Sequence, residues 1–161
     1  MAVPHITIEY VIMLPILIMQ IFLFPLASGW LMNIWVDSRR TLALQDAASH
    51  LGSTMQQLYF SLNHATISTG TATYLPGLPP LIEDYSYSGT ATLRTVNHGS
   101  NSSKVLDLAF KLITTKIRAT ASIVLGPNVL WQASTFWSNS THASISAQKF
   151  GNGSILLRFG G

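Results

Sequence analysis

Residues 10–36 read YVIMLPILIMQIFLFPLASGWLMNIWV, a run of 27 residues without a single charged side chain. As an α-helix this run would be about 40 Å long, whereas a bilayer core is about 30 Å thick and is spanned by ~20 apolar residues. The run is apolar on every face, and the rest of a 161-residue chain is too small to surround it. The sequence therefore predicts a helix that lies in lipid or against copies of itself.

Two prolines and two tryptophans lie within this run. Pro15 and Pro25 each remove a backbone hydrogen bond, so we expect the helix to bend or loosen there. Trp30 and Trp35 approach the polar end of the run, which fits either an interfacial aromatic belt or ordinary core packing.

The helix is predicted to continue beyond the run, to residues 62–64, with a different surface. From residue 44 onward the apolar positions recur at spacings of four and three, while polar side chains fill the positions between them. This spacing predicts a single apolar stripe. The stripe consists of Leu44, Ala48, Leu51, Met55, Leu58 and Leu62. We expect this second half of the helix to pack one face against its own domain.

The remainder of the chain has the pattern of a β domain. Alternating apolar and polar residues predict six or seven short strands, which fit the ranges 90–95, 106–112, 117–125, 129–137, 141–149 and 154–159. Turn sequences separate them at 75–80, 97–103, 126–128, 137–140 and 151–153. The predicted fold is α+β: a long N-terminal helix over residues 1–63, kinked at its prolines, followed by a small antiparallel β-sandwich over residues 64–161.

Composition argues against several classes of function. Charged residues make up 9% of the chain, against about 25% in ordinary soluble proteins, and no basic stripe is present, so we expect no nucleic-acid partner. The chain has no cysteine, and its five histidines form no pair at metal-ligand spacing. No nucleophile motif and no glycine-rich phosphate loop occur. We therefore expect no catalytic residues, no metal and no cofactor.

The N-terminal half carries a motif that resembles a known family. Glu9 and Tyr10 are followed after four residues by Pro15, which gives E-Y-x-x-x-x-P inside an apolar run, and LALQDAASHLGS follows at 42–53. Over residues 5–60 the chain resembles the type IV pilin superfamily, in particular archaeal and TadE-like pilins. The resemblance implies an extracellular cell-surface filament with bundled helices in its core, β domains on its surface and a role in adhesion. It also implies insertion in the membrane before assembly, and a prepilin peptidase and pilus assembly machinery as partners.

The resemblance assigns assembly roles to Glu9, Tyr10, Pro15 and Pro25. In related pilins the glutamate is thought to pair with the N-terminal amine of a neighbouring copy and so to set the axial register. The alternative is a solvated carboxylate at the start of the helix, since a buried, unpaired carboxylate is costly.

The outer domain contains three N-x-S/T sequons, which begin at Asn101, Asn139 and Asn152. All three fall in predicted turns, so we expect N-glycosylation at these residues. Three aromatic side chains, Trp131, Phe136 and Trp137, lie close together in the sequence. We interpret them as sandwich core or subunit contact, with a sugar-binding patch as the alternative.

Three functions compete at this stage: a filament subunit, a single-pass membrane protein or minor pilin that presents a β domain, and a carbohydrate-binding adhesin on an anchor. The surplus length of the apolar run and its prolines favour the first. The basic residues that flank the run, Arg39 and Arg40, lie on its C-terminal side, which by the positive-inside rule places the β domain in the cytoplasm. The sequons favour an exterior domain, so we expect the gene to encode a basic leader that is removed.

Overall fold

The computed structural model describes residues 4–98 and 101–160, and leaves out the side chains of residues 4–9, 98 and 101. The described part contains one helix and eight strands. They are α1 (Pro4–Leu62), β1 (Gly70–Tyr74), β2 (Tyr87–His98), β3 (Asn101–Leu112), β4 (Arg118–Leu125), β5 (Val129–Trp131), β6 (Thr135–Trp137), β7 (Ser144–Lys149) and β8 (Ile155–Gly160). This confirms the predicted α+β fold, in which one long N-terminal helix precedes mainly antiparallel sheets.

The chain forms two compact units, and the division between them falls inside α1, between Arg39 and Arg40. The helix is continuous through Pro15 and Pro25 in the first unit. The second unit contains the remainder of α1 and all eight strands. The division is therefore set by side-chain packing, whereas the sequence-based division at 63–64 followed the change in secondary structure.

The second half of α1 belongs to the core of the β domain. Every residue of the predicted stripe packs in the core, with Leu58 only partly buried and Leu44, Leu51 and Met55 fully buried. Two glutamines on this half also bind the sheet, since the Gln45 side chain donates to the Thr120 carbonyl and the Gln56 side chain to the Val124 carbonyl. Both carbonyls belong to β4, an edge strand, so the helix covers an edge that would otherwise remain open to pairing.

The strands form two four-stranded sheets, with the orders β1-β7-β8-β5 and β4-β3-β2-β6. All pairings are antiparallel except that of β5 with β8, which is parallel. Phe136 of one sheet and Phe159 of the other meet edge to face with ring centroids 5.8 Å apart. The inner faces of both sheets and the second half of α1 thus contribute to one continuous core.

Gly89 makes room in this core for a large side chain. It lies opposite Phe110 on the neighbouring strand, and a Cβ atom at Gly89 would come within 2.6 Å of the Phe110 ring. The ring also packs near Tyr87 and Phe136, at centroid distances of 6.1 Å from each. The close approach of an aromatic ring thus explains a glycine in the interior of a strand.

The predicted strand 129–137 is two strands in the structure. β5 pairs with β8 of the first sheet, while β6 pairs with β2 of the second, and residues 132–134 carry the chain from one sheet to the other. Val129 and Trp131 face the core from odd positions and Phe136 faces it from an even position, so the alternation shifts by one residue at the crossing. The prediction of a single strand missed this shift.

Two further differences concern a strand that was not predicted and a hairpin that is longer than predicted. β1 was not predicted, because GTATY has few apolar residues and its pattern of burial is weak. The hairpin of β2 and β3 is longer than predicted, with register pairs that continue to His98 and Asn101. Residues 97–103 were predicted as a turn, but most of them are paired strand residues whose backbone hydrogen bonds need no apolar side chains.

Candidate functional site

The first candidate site is the apolar segment, which we define as Tyr10–Val36 of α1. Almost all of its large apolar side chains are exposed, from Tyr10 at 69% to Trp35 at 71%. α1 is the one helix in the described part of the chain that is long and apolar enough to span a membrane. A surface of this size and composition, with no charged residue, is unstable in water and requires an apolar environment.

An open groove of about 690 Å³ lies along the apolar segment beside Pro25. Leu17, Ile21 and Phe24 line it, and so does Gln20, one of the few side chains in the segment that can donate a hydrogen bond. Proline has no backbone N–H, so the carbonyl of Ile21, four residues earlier, lacks its usual helical partner. In an apolar phase such a carbonyl needs another donor.

Of the predicted assembly residues, Tyr10, Pro15 and Pro25 all lie exposed on the apolar segment. The helix backbone includes Glu9, but its side chain lies outside the described residues. The structure therefore leaves three of the four side chains exposed, and the assembly role of all four residues stays a prediction.

The three sequons differ in their surroundings. Asn139 lies exposed in the turn that follows β6, and Asn152 lies exposed in the turn between β7 and β8. The Oδ1 atom of Asn152 accepts hydrogen bonds from the backbone N–H of Ser154, at 3.0 Å, and from its hydroxyl, at 2.7 Å. Asn101 is the first residue of β3, paired with His98, and its side chain lies outside the described residues.

The predicted aromatic group does not form one patch. Phe136 is buried in the core, Trp131 is half-buried and contacts Phe159 edge-on at 5.0 Å, and Trp137 is 45% exposed on the opposite face of its sheet. The expectation of core packing therefore holds for Phe136 and in part for Trp131. Trp137 points the other way because neighbouring residues of a strand alternate between faces.

The titratable groups with shifted pKa values have structural explanations. Burial raises the pKa of Tyr87 to about 12, and burial also raises that of Tyr59, against a smaller lowering by a backbone hydrogen bond with Gly126. Hydrogen bonds from Arg94 and Ser122 lower the pKa of the Asp107 carboxyl. Among the described residues, no group of three or more His, Asp or Glu side chains is placed to hold a metal ion.

Comparison of the chain with models of protein families, with curated proteins and with solved structures found no match.

Proposed function

We propose that this protein is the structural subunit of an extracellular filament of the type IV pilus kind, assembled from copies of itself. The apolar segments form the filament core, and the β domains form its outer surface. Before assembly the segment lies in the membrane, and the partners are a prepilin peptidase and the pilus assembly machinery. The observation that carries the proposal is the all-round exposure of a 27-residue uncharged helical segment.

The polar groups within the apolar segment favour a bundle over a lone anchor. Gln20, Ser28 and Asn33 have side chains that form hydrogen bonds, and each proline leaves a backbone carbonyl without its helical donor. The hydrocarbon core of a bilayer has no groups that form hydrogen bonds, whereas a neighbouring copy of the helix carries the same polar side chains. The segment also exceeds the ~20 residues that suffice for a simple span.

The test is a charge in the middle of the segment. Leu17 lines the groove beside Pro25, and Leu17→Lys would cost at least about 2.5–3.5 kcal/mol per subunit in an apolar environment. This corresponds to a roughly 70- to 400-fold less favourable equilibrium for placing each subunit in the apolar filament core. Cells that produce the variant should therefore lack filaments. Leu42→Lys is the matched control, because Leu42 is 67% exposed and lies beyond the apolar segment on the same helix.

Filaments sheared from cells of the native host should be examined by electron microscopy, and their subunit identified by mass spectrometry. Normal filaments from the Leu17→Lys strain would contradict a buried helical core. If surface filaments lack the protein and all of it stays in the membrane fraction, the single-pass membrane anchor is the better description. A defect of equal size in the Leu42→Lys strain would show that the effect is not specific to the apolar segment.

A further inference from the structure

One row of side chains crosses the whole outer face of the sheet β4-β3-β2-β6. Successive register pairs join Trp137 to Ser88, Ser88 to Lys111, and Lys111 to Arg118. These four residues, which we name the outer row, come one from each strand of the sheet. This face is the reverse of the one that packs on the core, so the second half of α1 does not cover it.

The outer row borders two adjoining depressions. One has a volume of about 310 Å³, and Thr90, Ala109 and Thr120 are among the residues that line it beside the row. The other, of about 270 Å³, includes Trp137 and is closed by the turn between β3 and β4. Small side chains of β2 and β3 form the floor of the depressions. The Trp137 ring lies at one end of the outer row, and the cations of Lys111 and Arg118 lie at the other.

The charges of the outer row are not balanced by the protein. Lys111 and Arg118 lie directly opposite each other, an arrangement of like charges that weakens strand pairing. Within the described residues neither side chain has an ion pair or hydrogen bond. The acid on the same face, Asp107, is already engaged by Arg94 and Ser122. An anion bound between Lys111 and Arg118 would remove their repulsion.

A small polar side chain lies within the outer row. Ser88 is only 3% exposed as a whole residue and lines both depressions, and in the described part of the chain its hydroxyl makes no hydrogen bond. A ligand in the depressions can therefore bind this hydroxyl without displacing a protein partner.

We propose that the outer row binds an acidic polysaccharide, with one sugar ring stacked on Trp137 and a uronate carboxylate held by Lys111 and Arg118. Trp137 and Lys111 are separated by two strand spacings, about 9.5 Å, and Arg118 lies about 14 Å from Trp137, so the row matches more than one sugar ring. Ser88, Thr90 and Thr120 carry hydroxyls that both donate and accept, as sugar hydroxyls require. The site needs only the folded β domain and is independent of filament assembly.

Binding should be measured by isothermal titration of the full chain in nonionic detergent, with trigalacturonate as the probe and its fully methyl-esterified form as the neutral comparison. We expect Lys111→Gln and Arg118→Gln each to weaken binding of trigalacturonate about tenfold, the loss of one charge-assisted contact. Arg158→Gln removes the same charge from the other sheet and should change the affinity less than about twofold. The neutral ester should bind at least about tenfold more weakly than trigalacturonate.

The aromatic contact has its own test. Trp137→Ala should weaken binding about tenfold, while Trp137→Tyr, which keeps a stacking surface and serves as the control for folding, should retain most of it. The proposal is overturned if trigalacturonate does not bind at millimolar concentration, if the ester binds equally well, or if Arg158→Gln has the same effect as Lys111→Gln. Tighter binding of an oligothymidylate of equal charge would show a general polyanion surface, which also overturns it.

Discussion

Leu51 offers the sharpest test of how α1 is divided between two environments. Its side chain is fully buried, as are those of Ala48 and Met55, one turn before and one turn after it. Truncation of Leu51 to alanine would leave a cavity between the helix and the sheets. Buried leucines truncated in this way lose about 3–5 kcal/mol of folding free energy, and the close packing on both sides places Leu51 in the upper part of that range.

Leu42 provides a control on the same helix with the same change of side chain. It is 67% exposed, so Leu42→Ala removes little buried surface and should alter the free energy of unfolding by less than about 0.5 kcal/mol. The two variants have the same composition and nearly the same helix propensity. A difference between them therefore reports packing against the β domain.

The assay is urea unfolding of the full chain in nonionic detergent, followed by hydrogen exchange of peptides from β3 and β7. With a slope of about 1.5 kcal/mol per molar urea, Leu51→Ala should lower the midpoint by about 3 M, whereas Leu42→Ala should leave it almost unchanged. Exchange should accelerate in both sheets together, because they share one core. Equal midpoints for the two variants would refute the inclusion of residues 40–62 in that core.

Three further predictions concern the β domain. Gly126→Ala should destabilise it by about 1–3 kcal/mol in the same urea assay, because a Cβ atom there would lie 2.1 Å from the Tyr59 hydroxyl oxygen; wild-type stability would contradict this. Burial raises the pKa of Tyr87 from 10.0 to about 12, so the unfolded chain loses this proton first, and roughly 2–3 kcal/mol of stability should disappear between pH 10 and 12. Tyr87→Phe should lack that part of the decrease, and identical pH profiles of the two proteins would exclude the assignment. Mass spectrometry of native protein should find glycan on the exposed Asn139 or Asn152, and unmodified peptides at both would remove the sequon argument for an exterior domain.

The sequence was most informative where side chains alone decide the structure. The spacing from Leu44 to Leu62 marked the helix face that enters the core, because burial and helical period produce the same pattern. The alternation from Ile117 to Leu125 likewise marked β4, whose Ala119, Ile123 and Leu125 are buried.

Features that depend on pairing between distant strands could not be predicted. Residues 129–137 contain no glycine or proline that would mark the change of sheets at 132–134, and GTATY forms β1 through its pairing with β7. The outer row has the same origin, since only the registers of three strands bring Trp137 and Lys111 into one row. A single sequence does not show which residues of two distant strands lie opposite each other.

The Lys149 side chain in β7 donates a hydrogen bond to the carbonyl of His64, just after α1, and this contact has a consequence for biosynthesis. It joins residues 85 positions apart, and β1 obtains its partner strand only when β7 has emerged from the ribosome. At about 5–20 residues per second, that interval lasts roughly 4–17 s. During this time the apolar segment has already left the ribosome, while the stripe from Leu44 to Leu62 still lacks one of its two sheets. Under the proposed function, entry of the apolar segment into the membrane therefore precedes the closure of the outer domain by several seconds.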